Sequence, residues 1–190
     1  MYWQVYLHKT SLAAEKMLHN ILKRGKYLLS NGFEVNSSKS LNYFLSGKRT
    51  EKYMDDTSLD YFEQLDDFDI WSAIKEWQFH DDYVLSKLCR GLIERKLFKA
   101  EMGSDADYAE RFNTDLRKIS AVYKISEEDA EYFLSLSNVS TNMYSEEDDS
   151  IDILYNDGCI KPITTASDML NLELLSKEVK KQAYCHVRIS

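Results

Sequence analysis

Hydrophobic and polar residues follow a helical period near the start of the chain. From Ala14 to Leu29 the apolar side chains recur at separations of three and one residues, which is the stripe of an amphipathic helix. The stripe predicts one helix from about Tyr2 to Leu29, ended by a turn at Gly32. The polar residues that interrupt this segment are His8, Lys9, Lys16, Lys23, Arg24 and Lys26.

Further helices are predicted up to about residue 93. The segment "KSLNYFLSGKR" predicts a short helix that ends at Gly47. Three more apolar stripes each follow polar or acidic residues that can cap a helix N-terminus, and they predict helices over 59–65, 70–77 and 84–93. The expected caps are Thr57 or Ser58, then Asp67 or Asp69, then Asp81 or Asp82.

The pattern changes after Lys99. Short strands are predicted at "KLFKAEM" and "EYFLSLSNVS", with the helix "DADYAERFNTDLRKISAVY" between them. An acidic loop, "NMYSEEDDS", precedes a hairpin, "IDILYNDGCIKPI", whose turn residues are Asn156, Asp157 and Gly158. A helix, "TASDMLNLELLSKEV", and an edge strand, "AYCHVRIS", follow. The sequence therefore predicts a helix-rich α+β fold, with an all-α region at 1–100 and a small α+β subdomain at 101–190.

Composition narrows the class of protein. The 190 residues include six glycines and one proline, which favours long helices. A net charge of −8 argues against strong nucleic-acid binding as the function, because phosphate repels an acidic protein. No apolar run reaches the ~20 residues of a membrane span, and no signal-peptide pattern is present. The three cysteines are far apart and include no CxxC, which predicts reduced thiols and a cytoplasmic protein.

Candidate catalytic residues are few. His80-Asp81 is the dipeptide of an HD metal site, but such a site also needs another histidine and a distant aspartate. Capping of the helix that follows is the favoured interpretation, and a free-standing metalloenzyme that uses this pair is the weaker one. The sequence contains no GxGxxG, P-loop, HExxH or GxSxG motif, and neither Cys89 nor Cys185 has a recognisable base partner.

A basic cluster stands out in this acidic chain. It lies in "RGLIERKLFK" and consists of Arg90, Arg95, Lys96 and Lys99. These side chains can form a patch for a phosphate or a carboxylate. They can equally be cations attracted to the negative end of a helix dipole. Composition alone leaves both interpretations open.

Several stretches together resemble the HD-domain phosphohydrolases. "YLHKTSLAAEKML" resembles the YxHK helix that follows the catalytic core in the dGTPase-like dNTP triphosphohydrolases, which include the SAM-and-HD-domain enzyme of animals. "RKLFK" resembles their RxLFK element. "FEQLDDFDIWSAIKEW", "DDYVLSKL" and "IDILYNDGCIKPITTASDML" are similar to segments of the bacterial branch. The order of these segments extends the resemblance over nearly the whole chain.

The resemblance implies roles for five residues. Tyr6 matches a tyrosine that lines the substrate pocket beside the sugar. His8, Lys9, Arg95 and Lys99 match residues of a regulatory nucleotide site at a subunit boundary. It follows that a dNTP- or GTP-like nucleotide and further copies of the chain are the expected partners.

The resemblance also implies that a catalytic core is missing from this segment. The metal centre of the family is a His, a His-Asp pair and a distant Asp, all located before the YxHK helix, and nothing here corresponds to it. The chain is therefore expected to be the C-terminal part of a metal-dependent phosphohydrolase, with no catalytic residue and no cofactor of its own. A divalent metal is expected in the missing core. The alternative is a non-catalytic assembly or protein-binding module.

Overall fold

The chain folds into helices and small sheets, and this confirms the predicted helix-rich α+β class. The computed structural model describes residues 8–47, 55–103, 108–141, 152–162 and 179–189. Its helices are α1 (Lys9–Ser30), α2 (Lys39–Leu45), α3 (Asp56–Glu63), α4 (Asp67–Trp77), α5 (Tyr83–Ile93), α6 (Tyr108–Tyr123) and α7 (Glu127–Ala130), followed by a 3₁₀ turn (Glu131–Phe133). Its strands are β1 (Lys99–Gly103), β2 (Leu134–Thr141), β3 (Asp152–Leu154), β4 (Ile160–Pro162) and β5 (Val179–His186).

The first helix starts later than its stripe predicts. His8 is the N-cap, with an extended backbone (φ −61°, ψ 136°), and its Nδ1 accepts the Thr10 N–H at 3.2 Å. The predicted start at about Tyr2 is therefore wrong, because an extended residue ends the helical path at His8. The predicted end is confirmed: Gly32 has φ +81°, and the Phe33 N–H donates to the Leu28 carbonyl at 3.0 Å.

Aspartates cap three of the described helices in the first half. The N-caps are Asp55 of α3, Asp66 of α4 and Asp82 of α5. Asp82 confirms one of the two residues predicted for α5. The caps predicted for the other two helices, Thr57 or Ser58 and Asp67 or Asp69, are wrong because these residues already lie in the first helical turn. Asp69 instead completes a capping box, since its carboxylate accepts the Asp66 N–H at 3.0 Å.

The core forms where α1, α4 and α5 meet. Met17, Ile21, Trp77 and Leu85 are at most 2% exposed. Trp77 also satisfies its polar atom, because Nε1–H donates to the Asn36 carbonyl at 2.7 Å. No helix in the described ranges is both long and apolar enough to cross a membrane.

The last strand lies inside a sheet rather than at its edge. The three-stranded sheet has the order β1-β5-β2, so the predicted edge position of "AYCHVRIS" is wrong. Ala183, Tyr184 and Cys185 are all fully buried, which is typical of a strand covered on both faces. The predicted hairpin is confirmed: β3 and β4 pair antiparallel, and Gly158 in the turn has φ +81°.

The chain divides into two compact units. The first comprises Met1–Glu101, Asp107–Leu136 and Tyr184–Ser190, and the second comprises Met102–Ala106 and Ser137–Ala183. All side chains that carry the candidate site belong to the first unit. The predicted acidic loop at 142–150, and the predicted helix at 165–179 except for its last residue, lie outside the described ranges.

Candidate functional site

The basic cluster extends from α5 to β1: Arg90 lies on α5, Arg95 and Lys96 lie in the turn, and Lys99 begins β1. α5 ends at Ile93, and the chain reverses through Arg95, whose φ is +57°. The Lys96 N–H closes the turn by donating to the Gly91 carbonyl at 2.8 Å. Lys124 has the same left-handed conformation (φ +54°) after α6, so this geometry is an ordinary helix ending and is not by itself a sign of function.

The four cations of the cluster differ in their partners. Arg90 Nε donates to the Gln78 carbonyl at 2.9 Å. Lys96 pairs with Glu94 at 2.6 Å, and Lys99 pairs with Glu101 at 2.9 Å. The Arg95 side chain is exposed and forms no hydrogen bond or ion pair with any other described residue. Its guanidinium is therefore the cation of this cluster with all its donors available to a ligand.

Glu101 joins Lys99 to two other elements. Its carboxylate accepts two hydrogen bonds from Arg111 of α6, at 2.7 and 3.0 Å, in a bidentate arrangement. His186 Nε2 at the end of β5 lies 3.3 Å from the same carboxylate. The hydrogen bonds from Arg111 and Lys99 hold the pKa of Glu101 well below its ordinary value. Glu101 is therefore a carboxylate at neutral pH and cancels part of the charge of Lys99.

Arg111 is itself fixed from several sides. Its Nε lies 3.5 Å from the Asp115 carboxylate, and its guanidinium stacks 5.3 Å from the ring centre of Tyr184. The Tyr184 hydroxyl donates to Asp115 at 2.9 Å. Burial, together with this hydrogen bond, raises the pKa of Tyr184 above its ordinary value. The network keeps the partner of Lys99 in one position.

The structure describes two of the three site residues predicted near the start of α1. His8 and Lys9 are exposed at its first turn, while Tyr6 lies outside the described residues. α1 meets the segment after α5 at Met17, whose Sδ accepts the Phe98 N–H at 3.3 Å. Met17 is eight residues beyond Lys9, which is about 12 Å along a helix axis. Within the described part of the chain, no hydrogen bond or ion pair joins these two residues to the basic cluster, and the shared site stays a prediction.

Arg24 forms the most buried ionic cluster among the described residues, and its site was not predicted from the sequence. Its side chain is 8% exposed and contacts Asp82 at 2.6 and 3.1 Å and Asp129 at 2.6 Å. The rings of Tyr27 and Tyr132 lie 5.0 and 5.1 Å from the guanidinium. The sequence did contain a signal: Arg24 falls in phase with the apolar stripe of α1, so its side chain had to be buried and paired.

The His80 side chain forms hydrogen bonds with backbone groups. Its Nδ1 accepts the Asp82 N–H at 2.9 Å, so Nε2 carries the proton and donates to the Glu34 carbonyl at 3.1 Å. Both ring nitrogens thus hold the loop before α5. Among the described residues, no three His, Cys, Asp or Glu side chains are arranged to hold a metal ion.

A cleft beside Arg24 is acidic. It has a volume of about 770 Å³, and its only cationic or potentially cationic lining groups are Arg24 and His80. Its carboxylates are Glu34, Glu76, Asp81, Asp82, Glu128 and Asp129. Since Arg24 is already neutralised by two of them, the cleft repels phosphate. The basic cluster is therefore the better candidate for an anionic ligand.

Comparison with known proteins relates the chain to a phosphohydrolase. No protein-family profile matches it. It is similar to the crystal structure of a phosphohydrolase from Bacteroides thetaiotaomicron, with 47% identity and a TM-score of 0.83 over 99% of this chain and 47% of that one. It is also 29% identical to the uncharacterized protein YwfO of Bacillus subtilis over 176 residues, which are 88% of this chain and 38% of YwfO. The chain thus spans less than half the length of either protein. The predicted resemblance to a phosphohydrolase is confirmed, whereas the HD domain, the dGTPase-like class and the C-terminal position of the chain stay predictions.

Proposed function

We propose that this chain is the C-terminal part of a metal-dependent (deoxy)nucleoside triphosphate phosphohydrolase. The observation that carries the proposal is the 47% identity and the TM-score of 0.83 to a phosphohydrolase, over 99% of the chain. The finer class rests on the resemblance of "YLHKTSLAAEKML" and "RKLFK" to the dNTP triphosphohydrolases. In this proposal the chain contributes a wall of the substrate pocket through Tyr6, a regulatory nucleotide site and contacts between subunits.

The hydrolytic chemistry belongs to the rest of the parent protein. Such an enzyme cleaves a phosphate ester and releases nucleoside and triphosphate. The described residues do not fit the metal that this reaction uses, since they contain no suitable set of three ligands. No step of the reaction is therefore assigned to them.

The basic cluster supports the regulatory role on physical grounds. A triphosphate concentrates several negative charges, and arginine and lysine supply charge-assisted hydrogen bonds to it. The Arg95 guanidinium has no partner among the described residues and is exposed, and the Lys99 side chain is 54% exposed. Both can thus be reached by a ligand, together with His8 and Lys9 at the start of α1.

The test is a titration of the purified protein with dGTP, GTP and the other dNTPs. Binding, oligomer mass and hydrolysis with Mg²⁺ or Mn²⁺ are followed for wild type, Arg95→Ala, Lys99→Ala and the control Lys96→Ala. Each of the first two variants removes a charge-assisted hydrogen bond and is expected to weaken binding about 10- to 150-fold. Lys96 is an exposed lysine of the basic cluster that is not assigned to the regulatory site. The Lys96→Ala variant is therefore expected to bind nucleotide like wild type. The 190-residue chain alone is expected to hydrolyse none of the nucleotides.

Two outcomes contradict the proposal. If Arg95→Ala and Lys99→Ala both bind and assemble like wild type, the cluster is only a helix end with cations. If the purified chain hydrolyses a dNTP above the buffer control, it contains a catalytic centre that this proposal places elsewhere.

The second candidate is an assembly or protein-binding module without a nucleotide role. The observation that favours it is an exposed apolar surface on α3 and α4. Leu59, Phe62, Phe68 and Trp71 are 45%, 53%, 82% and 48% exposed. Exposed aromatic groups of this kind are typical of surfaces that bind another protein. This candidate is favoured if the oligomer mass does not depend on nucleotide and is the same in wild type, Arg95→Ala, Lys99→Ala and Lys96→Ala.

A further inference from the structure

Lys99 is engaged by a neighbour on its own strand. Lys99 and Glu101 are two residues apart on β1, so their side chains lie on the same face of the strand. The ammonium Nζ and the carboxylate Oε1 are 2.9 Å apart. The Glu101 side chain is 23% exposed, whereas the Lys99 side chain is 54% exposed. Any phosphate that binds Lys99 therefore meets an anion that is already there.

Glu101 does not depend on Lys99 for its own hydrogen bonds. Two bonds from Arg111 and the contact with His186 remain when Lys99 leaves. Lys99 can therefore turn to a ligand without leaving a carboxylate unpaired, and the cost is that of one exposed ion pair. Glu101 cannot follow it, because Arg111 is held in turn by Asp115.

We propose that Glu101 is an internal competitor for the anionic ligand of Lys99. Without ligand its carboxylate occupies the ammonium group, and the phosphates of a bound nucleotide must displace it. Glu101 therefore lowers the affinity of the site and sets the ligand concentration at which the site fills. This inference rests on the proposed regulatory site and names the residue that tunes it.

A second ion pair, in the turn before β1, provides a matched control. Lys96 and Glu94 are also two residues apart and lie 2.6 Å from each other. Glu94 is 50% exposed, and its side chain has no hydrogen bond to a described residue other than Lys96. Removing the charge of Glu94 changes the net charge of the protein as much as removing that of Glu101, but it does not release Lys99.

The experiment measures binding of inorganic triphosphate and of dGTP by calorimetry at fixed ionic strength. Its proteins are wild type, Glu101→Gln, Lys99→Ala, the double variant of both, and Glu94→Gln. Glu101→Gln is expected to bind about two- to fivefold more tightly, the range that an exposed ion pair contributes. The gain is expected to vanish when Lys99 is also alanine. Glu94→Gln is expected to match wild type.

The results distinguish failure of the competitor role of Glu101 from failure of the regulatory site. Weaker binding by Lys99→Ala without a gain in Glu101→Gln, or the same gain in the Lys99→Ala background or in Glu94→Gln, overturns the competitor role and leaves the regulatory site standing. Unchanged binding by Lys99→Ala, or no binding by any protein, overturns both. Thermal unfolding monitors folding of each variant. If Glu101→Gln is unstable, Glu101→Asp keeps a carboxylate for Arg111 with a shorter reach to Lys99, and it is expected to shift affinity in the same direction.

Discussion

Replacing Arg24 by alanine is expected to lower the free energy of unfolding by about 3–5 kcal/mol at pH 7. The loss comes mainly from the two carboxylates that remain, rather than from the attraction that disappears. Asp82 is 15% exposed and accounts for the larger share of the lost free energy, since water cannot easily solvate its carboxylate. Asp129 is 32% exposed, so solvent screens it better and its share is smaller.

The same replacement is expected to cost less in acid. Burial opposes ionisation of Asp82, but Arg24 and the Leu85 N–H favour the carboxylate more, so its folded-state pKa lies below the ordinary value. A lowered folded-state pKa stabilises the protein fully above the unfolded-state pKa of about 4, and this stabilisation is lost as the pH falls through the folded-state value. Arg24→Ala lacks this contribution at every pH. The difference in the free energy of unfolding between wild type and Arg24→Ala therefore narrows below about pH 4.

Urea denaturation followed by circular dichroism at pH 7 and about pH 3.5 measures both effects. Lys26→Ala, which removes an exposed cation from the same helix, is the matched control and is expected to change stability by less than about 0.5 kcal/mol. A cost of under about 1 kcal/mol for Arg24→Ala at pH 7, or the same cost at both pH values, refutes the argument.

Gly25→Ala is expected to lower stability by about 1 kcal/mol, although alanine normally stabilises a helix, because the added Cβ lies 3.3 Å from the ring of the buried Trp77. Chemical denaturation tests this, and a more stable variant contradicts it. Cys159 is expected to be the fast-reacting thiol among the three cysteines in a native thiol titration at pH 8, since it is exposed. Burial raises the pKa of Cys89 to about 12 and that of Cys185 to about 11, so these thiols are expected to react only after unfolding. Three thiols that react equally fast in the native protein count against this burial.

Helices were predictable from the sequence where the evidence is local. The spacing of apolar residues and the turn glycines closely located the end of α1 and both ends of α2, α4, α5 and α6. The predicted start of α1 was wrong because His8 has an extended backbone and caps the helix, and the apolar spacing does not reveal this break. The four-residue helix Glu127–Ala130 was not predicted, because it is barely longer than one helical turn.

The order of strands was not predictable in the same way. "AYCHVRIS" alternates like an edge strand with one solvent-exposed face, yet β5 lies between β1 and β2. Which strands flank it depends on segments far away in the sequence. The informative feature is the run Ala183–Tyr184–Cys185, three residues that suit a strand covered on both faces.

Charged residues show most clearly where sequence reasoning ends. Arg24 occupies a position in the apolar stripe, so the sequence implies that its charge is buried and needs an anion. Its partners stand 58 and 105 residues away, and nothing in the sequence singles out Asp82 and Asp129 among the many other acidic residues. Lys99 presents the opposite case. Its pairing with Glu101 is visible as two residues on one face of a strand, but the reason that Glu101 stays in place is Arg111, on the next helix. A site built from charges is therefore predictable in its need for partners, and only the fold decides which cations remain free for a ligand.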